Sequence, residues 1–294
     1  MTAGAVAVAR GAEGRRLPSL GTVALHTAII VILIVWALPT IGMLLNSFRP
    51  AADVSRSGWW TILVEPRFST DNYVRVLSQN GLDRAFLNSV LITVPSTIIS
   101  IAVAAFAAYA FSWMDFRGRD LLFVIVVGLL VVPGQTTWVP VLRLFRDLGI
   151  AGTLPAVWMA HTGYGLPFAV YLLRNYMGGL PKAIFESAAI DGAGAARTFF
   201  QIALPMSVPV IASLAIFQFL FIWNDLVVAL LYLGAFNAEN LPLTVTLANL
   251  SNSLGGEWHA LMAAAFISMA VPLAVFFTLQ RYFVRGITGG AVKG

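Results

Sequence analysis

The 294-residue chain is 59% hydrophobic, only 11% charged and carries a net charge of +5, with a mean hydropathy of +0.84. Soluble domains keep about a quarter of their residues charged, so this composition is that of an integral membrane protein. There is no cysteine, which excludes disulfides, thiolate nucleophiles and cysteine metal sites.

The N-terminal tail, residues 1–22, carries Arg10, Arg15 and Arg16 and is expected in the cytoplasm. A first membrane helix follows over 23–45; no cleavage site of small residues comes after it, so it is expected to remain in place. Residues 46–85 are expected as an extracytoplasmic loop, where Trp59-Trp60 suits an anchor at the membrane interface better than a ligand contact. Residues 86–283 form a core with five further apolar stretches: 89–111, 121–141, 154–173, 203–233 and 260–280. A bilayer needs about 20 apolar residues per helix, which makes six spans in all. The third breaks at Pro133-Gly134, and the fourth contains His161, Thr162, Gly163, Tyr164, Gly165 and Pro167. Such residues either sit inside a bundle, where neighbours or water satisfy the freed backbone, or kink the helix. A short tail, 284–294, ends the chain.

The expected fold is therefore all-α and polytopic. Eleven cationic residues fall on the side of the two termini and seven on the other, placing both ends in the cytoplasm. Charges this sparse read as topology, not as nucleic-acid binding, and His26, His161 and His259 are too scattered to hold a metal.

On this topology 174–202 is the longest cytoplasmic loop. Within it, ESAAIDGAGAARTFFQIALP (186–205) is alanine-rich on both sides of Gly192 and Gly194, which predicts two short helices joined by a glycine turn. Ile184, Phe185, Ala188 and Ala189 make a narrow apolar face on the first, and Phe199, Phe200 and Ile202 on the second. Two readings stand. The segment could be an amphipathic connector on the headgroups, although it lacks the Lys/Arg-rich polar face of such helices. Alternatively it is a helix that fits a groove on another protein, with Glu186 offered to a basic partner.

The register Glu186-Ser187-Ala188, three residues, Gly192, nine residues, Ile202-Ala203-Leu204-Pro205 resembles the EAA loop of permease subunits in bacterial ABC importers. Its one departure is Ser187 in place of alanine. Asn46-Ser47-Phe48, Asn72-Tyr73, Asn88-Ser89, Pro133, Trp223-Asn224-Asp225 and the ending QRYFVRGITGGAVKG are similar to the second membrane subunit of maltose-type carbohydrate importers. That resemblance implies a bacterial inner-membrane, multi-pass permease of the type I importer fold. It implies as partners a homologous second permease, two copies of an ABC ATPase and an extracytoplasmic solute-binding protein. It further implies that 182–205 is the coupling segment seated on an ATPase subunit, with Glu186, Ser187, Ala188, Ala189, Asp191, Gly192, Leu204 and Pro205 as its coupling residues. ATP and magnesium would belong to the ATPase, leaving this subunit with no cofactor, no metal and no catalytic residue.

Asp225 is the one acidic residue within the clear spans, and an intramembrane carboxylate is a functional candidate because it is costly unless paired or wetted. Twenty residues beyond Pro205 is about 30 Å, which places Asp225 near the outer interface; an outer gate or binding-protein contact and a helix-end hydrogen-bond network both remain open. Gln218, Trp223, Asn224 and Asp225 are residue types that suit a sugar pathway, with Gln218 and Asp225 seven apart on one helix face. No GxxxxGK[ST] loop is present, so ATP chemistry is not expected here. A self-contained secondary transporter would carry more ionisable residues at mid-membrane, and a membrane enzyme would show a nucleophile–base constellation. Fine resemblance in GWW and SLGGEWHALMAAAFISMAVP points to alpha-glucosides, with glycerol 3-phosphate or a polyol as the alternative solute.

Overall fold

The computed structural model describes residues 19–79, 81–234, 236–253 and 257–291, and among these all the regular structure is helical, with no strand. Helix α1 (Leu20–Ser47) starts at Ser19, whose side chain accepts the Thr22 N–H at 3.3 Å, a standard N-terminal cap. It is apolar on all sides and mostly exposed, as a lipid-facing helix should be. Gly42 is an exception: a Cβ there would lie 2.7 Å from the indole nitrogen of Trp59. Trp59 is thus packed onto α1, while Trp60 is exposed.

The segment after α1 folds as α2 (Ala51–Arg56), a 3-10 turn over Trp59–Leu63, and α3 (Asp71–Gln79). Arg49 holds it together from the inside. Its buried guanidinium donates to Asn46 Oδ1 (2.9 Å), Ser57 O (3.2 Å), Ser57 Oγ, Asp53 O (3.1 Å) and Thr61 Oγ1 (3.0 Å). That saturation makes a buried cation tolerable without a carboxylate beside it. Asn72 adds amide bonds to the carbonyls of Ser47 and Arg49, 2.8 and 2.9 Å.

The core pairs α4 (Leu82–Trp113) with α7 (Leu154–Gly178), the most extensive helix contact in the molecule. Ala104, Ala105 and Ala108 on one and Ala156, Ala160 and Ala169 on the other are all buried, and small residues let the backbones approach. Three side-chain donors pin the register: Trp158 Nε1 to Leu91 O (2.9 Å), Ser112 Oγ to Arg174 O (3.2 Å) and Trp113 Nε1 to Met177 O (3.0 Å). Both sequences advance together along these contacts, so the two helices run parallel.

Between them the chain forms α5 (Arg119–Gly128), a 3-10 turn and α6 (Gly134–Asp147). The stretch expected as a span over 121–141 is bent by 106° at this break; Pro133 cannot donate to the turn before it. After α7 come α8 (Lys182–Ile190), α9 (Ala195–Thr198), a π turn over Phe199–Ala203, α10 (Leu204–Met206) and α11 (Val208–Trp223).

The expectation of one continuous span over 203–233 is wrong. The chain bends by 73° between Met206 and Val208, where Pro209 removes a helical donor and crowds the preceding turn. It breaks again after Trp223, then continues as α12 (Val227–Ala229) and a π turn over Leu230–Gly234. Helix α13 (Leu243–Ser253) and the long α14 (Trp258–Ala291) complete the bundle, with α11 packed between α4 and α14 and α1 along α14. Helices α1, α4 and α14 are long and apolar enough to cross a membrane, and the two bent pairs raise the number to five. The 25-residue α7, expected as a span over 154–173, has the length to cross but is not apolar enough to count among these five.

Candidate functional site

Helix α8 and the turn that follows it carry the residues singled out in the loop. Phe185 and Ala188 alone are buried on α8; Ile184 and Ala189, expected on the same inward face, are exposed. The buried stripe is thus the i, i+3 pair, not the wider face. The opposite surface presents Glu186, 60% exposed and 3.3 Å from Lys182, with Ser187, Ala189, Ile190 and Asp191 beside it. Ile190 is 86% exposed, an apolar side chain at the tip of the loop. Ser187 turns its hydroxyl back to Ala183 O at 2.9 Å.

Gly192 ends α8 with φ +71°. Its N–H reaches Ala189 O at 3.1 Å, and the next N–H, from Ala193, reaches Ala188 O at 2.9 Å. This pair of bonds is a Schellman cap, which needs the left-handed conformation that glycine alone adopts without penalty. On the far side of the turn Thr198 and Phe199 are buried, while Phe200 is exposed. Phe199 packs on Phe106 (ring centroids 4.7 Å) and Tyr109 (5.3 Å) of α4. Leu204 is half-buried and Pro205 exposed in α10. They open a helix that stops at Met206, where the next span was expected to begin.

The second set of candidates lies where α11 ends. Gln218 is buried against Gly165 of α7, where a Cβ would fall 2.3 Å from its Nε2. Trp223 is buried too; its ring stacks on Phe219 (5.6 Å) and its N–H bonds to Ser268 O at 3.0 Å. It therefore offers no free aromatic face to a solute. Asn224 is exposed and its amide caps the helix at Leu220 O, 2.8 Å. Asp225 stands beyond the helix, so it does not share a helix face with Gln218 as the spacing suggested. Its Oδ2 accepts the N–H groups of Val228 (3.0 Å) and Ala229 (3.2 Å), and its carbonyl accepts from Thr244 Oγ1 (2.6 Å). Of the two roles open for this carboxylate, these contacts are those of a helix-end network.

Facing Asp225 at 4.0 Å is Nε2 of His161, 1% exposed, with neither ring nitrogen hydrogen-bonded. Ser96, Thr97 and Ser100 of α4, Thr162 of α7 and Gln218 Nε2 of α11 also bury polar atoms without partners. The sequence offers His161 as one of three scattered histidines and as one of the polar residues in the fourth apolar stretch. No spacing rule connects it to a carboxylate 64 positions away that lies beyond a helix break. Among the described residues no three His, Asp or Glu side chains gather into a metal site.

Residues 85–289 match the family described as binding-protein-dependent transport system inner membrane component. The chain belongs to that family. It is 55% identical over 273 residues to the osmoprotective compounds uptake permease protein GgtD of Synechocystis, covering 92% of this chain and 91% of that one. It is 52% identical over 260 residues to the alpha-glucoside transport system permease protein AglG of Rhizobium meliloti, covering 85% and 68%. The trehalose/maltose transport system permease protein MalG of Thermococcus litoralis is 34% identical over 270 residues, 90% and 94%. In fold it resembles a chain of a bacterial ABC transporter that imports the acidic polysaccharide alginate. The TM-score is 0.74 at 20% identity over 91% of this chain and 99% of that one. The protein is thus a membrane permease of binding-protein-dependent transport, with the transmembrane fold of ABC importers.

Proposed function

We propose that this chain is one of the two permease subunits of an ATP-driven sugar importer in a bacterial cytoplasmic membrane, with both termini inside, and that an alpha-glucoside or related oligosaccharide is its solute. The observation that carries the reading is 52% identity along 85% of the chain to an alpha-glucoside permease. A second, homologous permease completes the pathway, two ABC ATPase subunits hydrolyse ATP with magnesium, and a solute-binding protein delivers the sugar to the outer face.

Helix α8 is the element through which the ATPase acts. Its outer surface combines the exposed Glu186 carboxylate with small residues and Ile190, a surface that fits a groove with a basic group at its edge. A headgroup connector would instead present lysines and arginines, and Lys182 is the one cation on α8. Transport then follows alternating access: ATP-driven closure of the ATPase pair moves the coupling helices, the permeases open outward to the docked binding protein, and hydrolysis resets them. Gln218 within α11, and Asn224 and Asp225 at the break that follows it, are the candidates for lining or gating that path, the Asp225 network serving as the part of the break that would have to open.

Affinity purification of the tagged chain from its native membrane tests the assembly, and an ABC ATPase and a second permease are expected with it. Recovery of an active transporter consisting of this chain alone, driven by an ion gradient, would reject the reading in favour of a secondary transporter. A binding assay on the cognate solute-binding protein separates alpha-glucosides from glycerol 3-phosphate or polyols.

A further inference from the structure

We infer that the drive from α8 enters the membrane through an aromatic stripe on α4, with Trp113 and Phe185 as its principal positioning pair, and not through the helix that follows α8 in the chain. The inference rests on the reading of α8 as the ATPase-docking helix.

Phe185 is the one large buried side chain on α8. Its ring lies flat on the indole of Trp113, centroids 3.6 Å apart and planes 9° from parallel. Trp113 is the last residue of α4, and its N–H is bonded to Met177 O near the end of α7 at 3.0 Å. A single indole therefore touches α4, α7 and α8. Met177 O also accepts the Leu180 N–H at 3.2 Å, so the short link from α7 to α8 closes on the same carbonyl. One turn back, Ser112 bonds to Arg174 O (3.2 Å), and the Arg174 guanidinium sits 4.7 Å from the Phe123 ring of α5.

The other end of the loop is fastened to the same helix. Phe199 packs on Phe106 and Tyr109. Phe106, Tyr109 and Trp113 are spaced three and four residues apart, one face of α4. Both arms of the loop thus grip one stripe on one helix.

The covalent route onward is softer. Between the loop and α11 lie a π turn over Phe199–Ala203, the three-residue α10 and the 73° bend, and Ser207 in that bend buries a hydroxyl with no partner. Interrupted helical hydrogen bonding of this kind is where helices hinge. A push on α8 is absorbed there, whereas the flat stack and the α4–α7 register bonds transmit it.

The test measures ATP hydrolysis and sugar uptake in the same proteoliposomes holding the full complex, with Trp113→Ala, Phe185→Ala, Phe185→Leu and Trp113→Phe. Trp113→Ala and both Phe185 variants are expected to keep binding-protein-stimulated hydrolysis within about twofold while uptake falls about tenfold, so that ATP consumed per sugar rises. Trp113→Phe, which retains a ring for the stack, restores the ratio to within about threefold. An unchanged ratio, or uptake and hydrolysis falling in step in an assembled complex, overturns the inference. Should Trp113→Ala fail to assemble, Phe185→Leu keeps apolar burial without the ring and decides alone. A wild-type chain that binds no ATPase removes the docking reading itself, which is a different result from a normal complex whose Phe185 variants couple normally.

Discussion

At the α8 end the chain is held by aromatic faces, Phe185 on Trp113 and Phe199 on Phe106 and Tyr109, with the charges of Glu186 and Lys182 left outside. Where α4, α7 and α11 pack together the arrangement is reversed. His161, Gln218, Thr97 and Ser100 are buried with polar atoms unpartnered, and Asp225 divides its carboxylate between two backbone N–H groups and a histidine 4.0 Å away. Apolar stacking is stiff and costs little to keep; buried polar groups without partners cost about 1–3 kcal/mol each. Stacking holds the first region together as a unit, whereas in the second any shift, or any water, that gives these polar atoms partners lowers their cost.

The contrast is tested first at its outer surface. Glu186→Lys is expected to abolish recovery of the ATPase and to lower uptake by at least about tenfold, one decade for each 1.4 kcal/mol of docking energy lost. Glu186 is exposed and its ion pair with Lys182 lies at the surface, so thermal unfolding of the purified chain should move little. Gly192→Ala should cost about 1–2 kcal/mol, the price of a left-handed residue with a side chain, and should appear as faster amide exchange confined to 186–194.

The smallest change sharpens the comparison most. Thr97→Val and Ser100→Ala remove hydroxyls that make no hydrogen bond, so stability should change by less than about 0.5 kcal/mol or rise. A loss of more than about 1 kcal/mol would show that water pairs these groups, and the polar layer would then be as fixed as the aromatic joint.

The loop was legible because its signals are local. Helix-forming alanines on either side of Gly192 predict two helices and a turn, and the structure has α8, a Schellman cap and α9. The inward face of α8 was read too wide, since periodicity admits Ile184 and Ala189 equally with Phe185 and Ala188, and only the position of Trp113 selects between them. Helix α11 was read too long for a different reason. Hydropathy registers apolar side chains and is blind to the missing N–H of Pro209, so 203–233 looked continuous although its backbone is interrupted twice. Trp113 and His161 went unassigned because their partners, Phe185 and Asp225, are distant in sequence and meet them only through the packing of α4, α7 and α11.

ATP-dependent uptake of a labelled alpha-glucoside tests the central claim most directly, using proteoliposomes that contain this chain with its second permease and ATPase. Uptake is predicted to require both ATP on the ATPase side and the loaded solute-binding protein on the other, and to be lost with Glu186→Lys. Undiminished uptake without ATP, or by vesicles containing this chain alone, would contradict it.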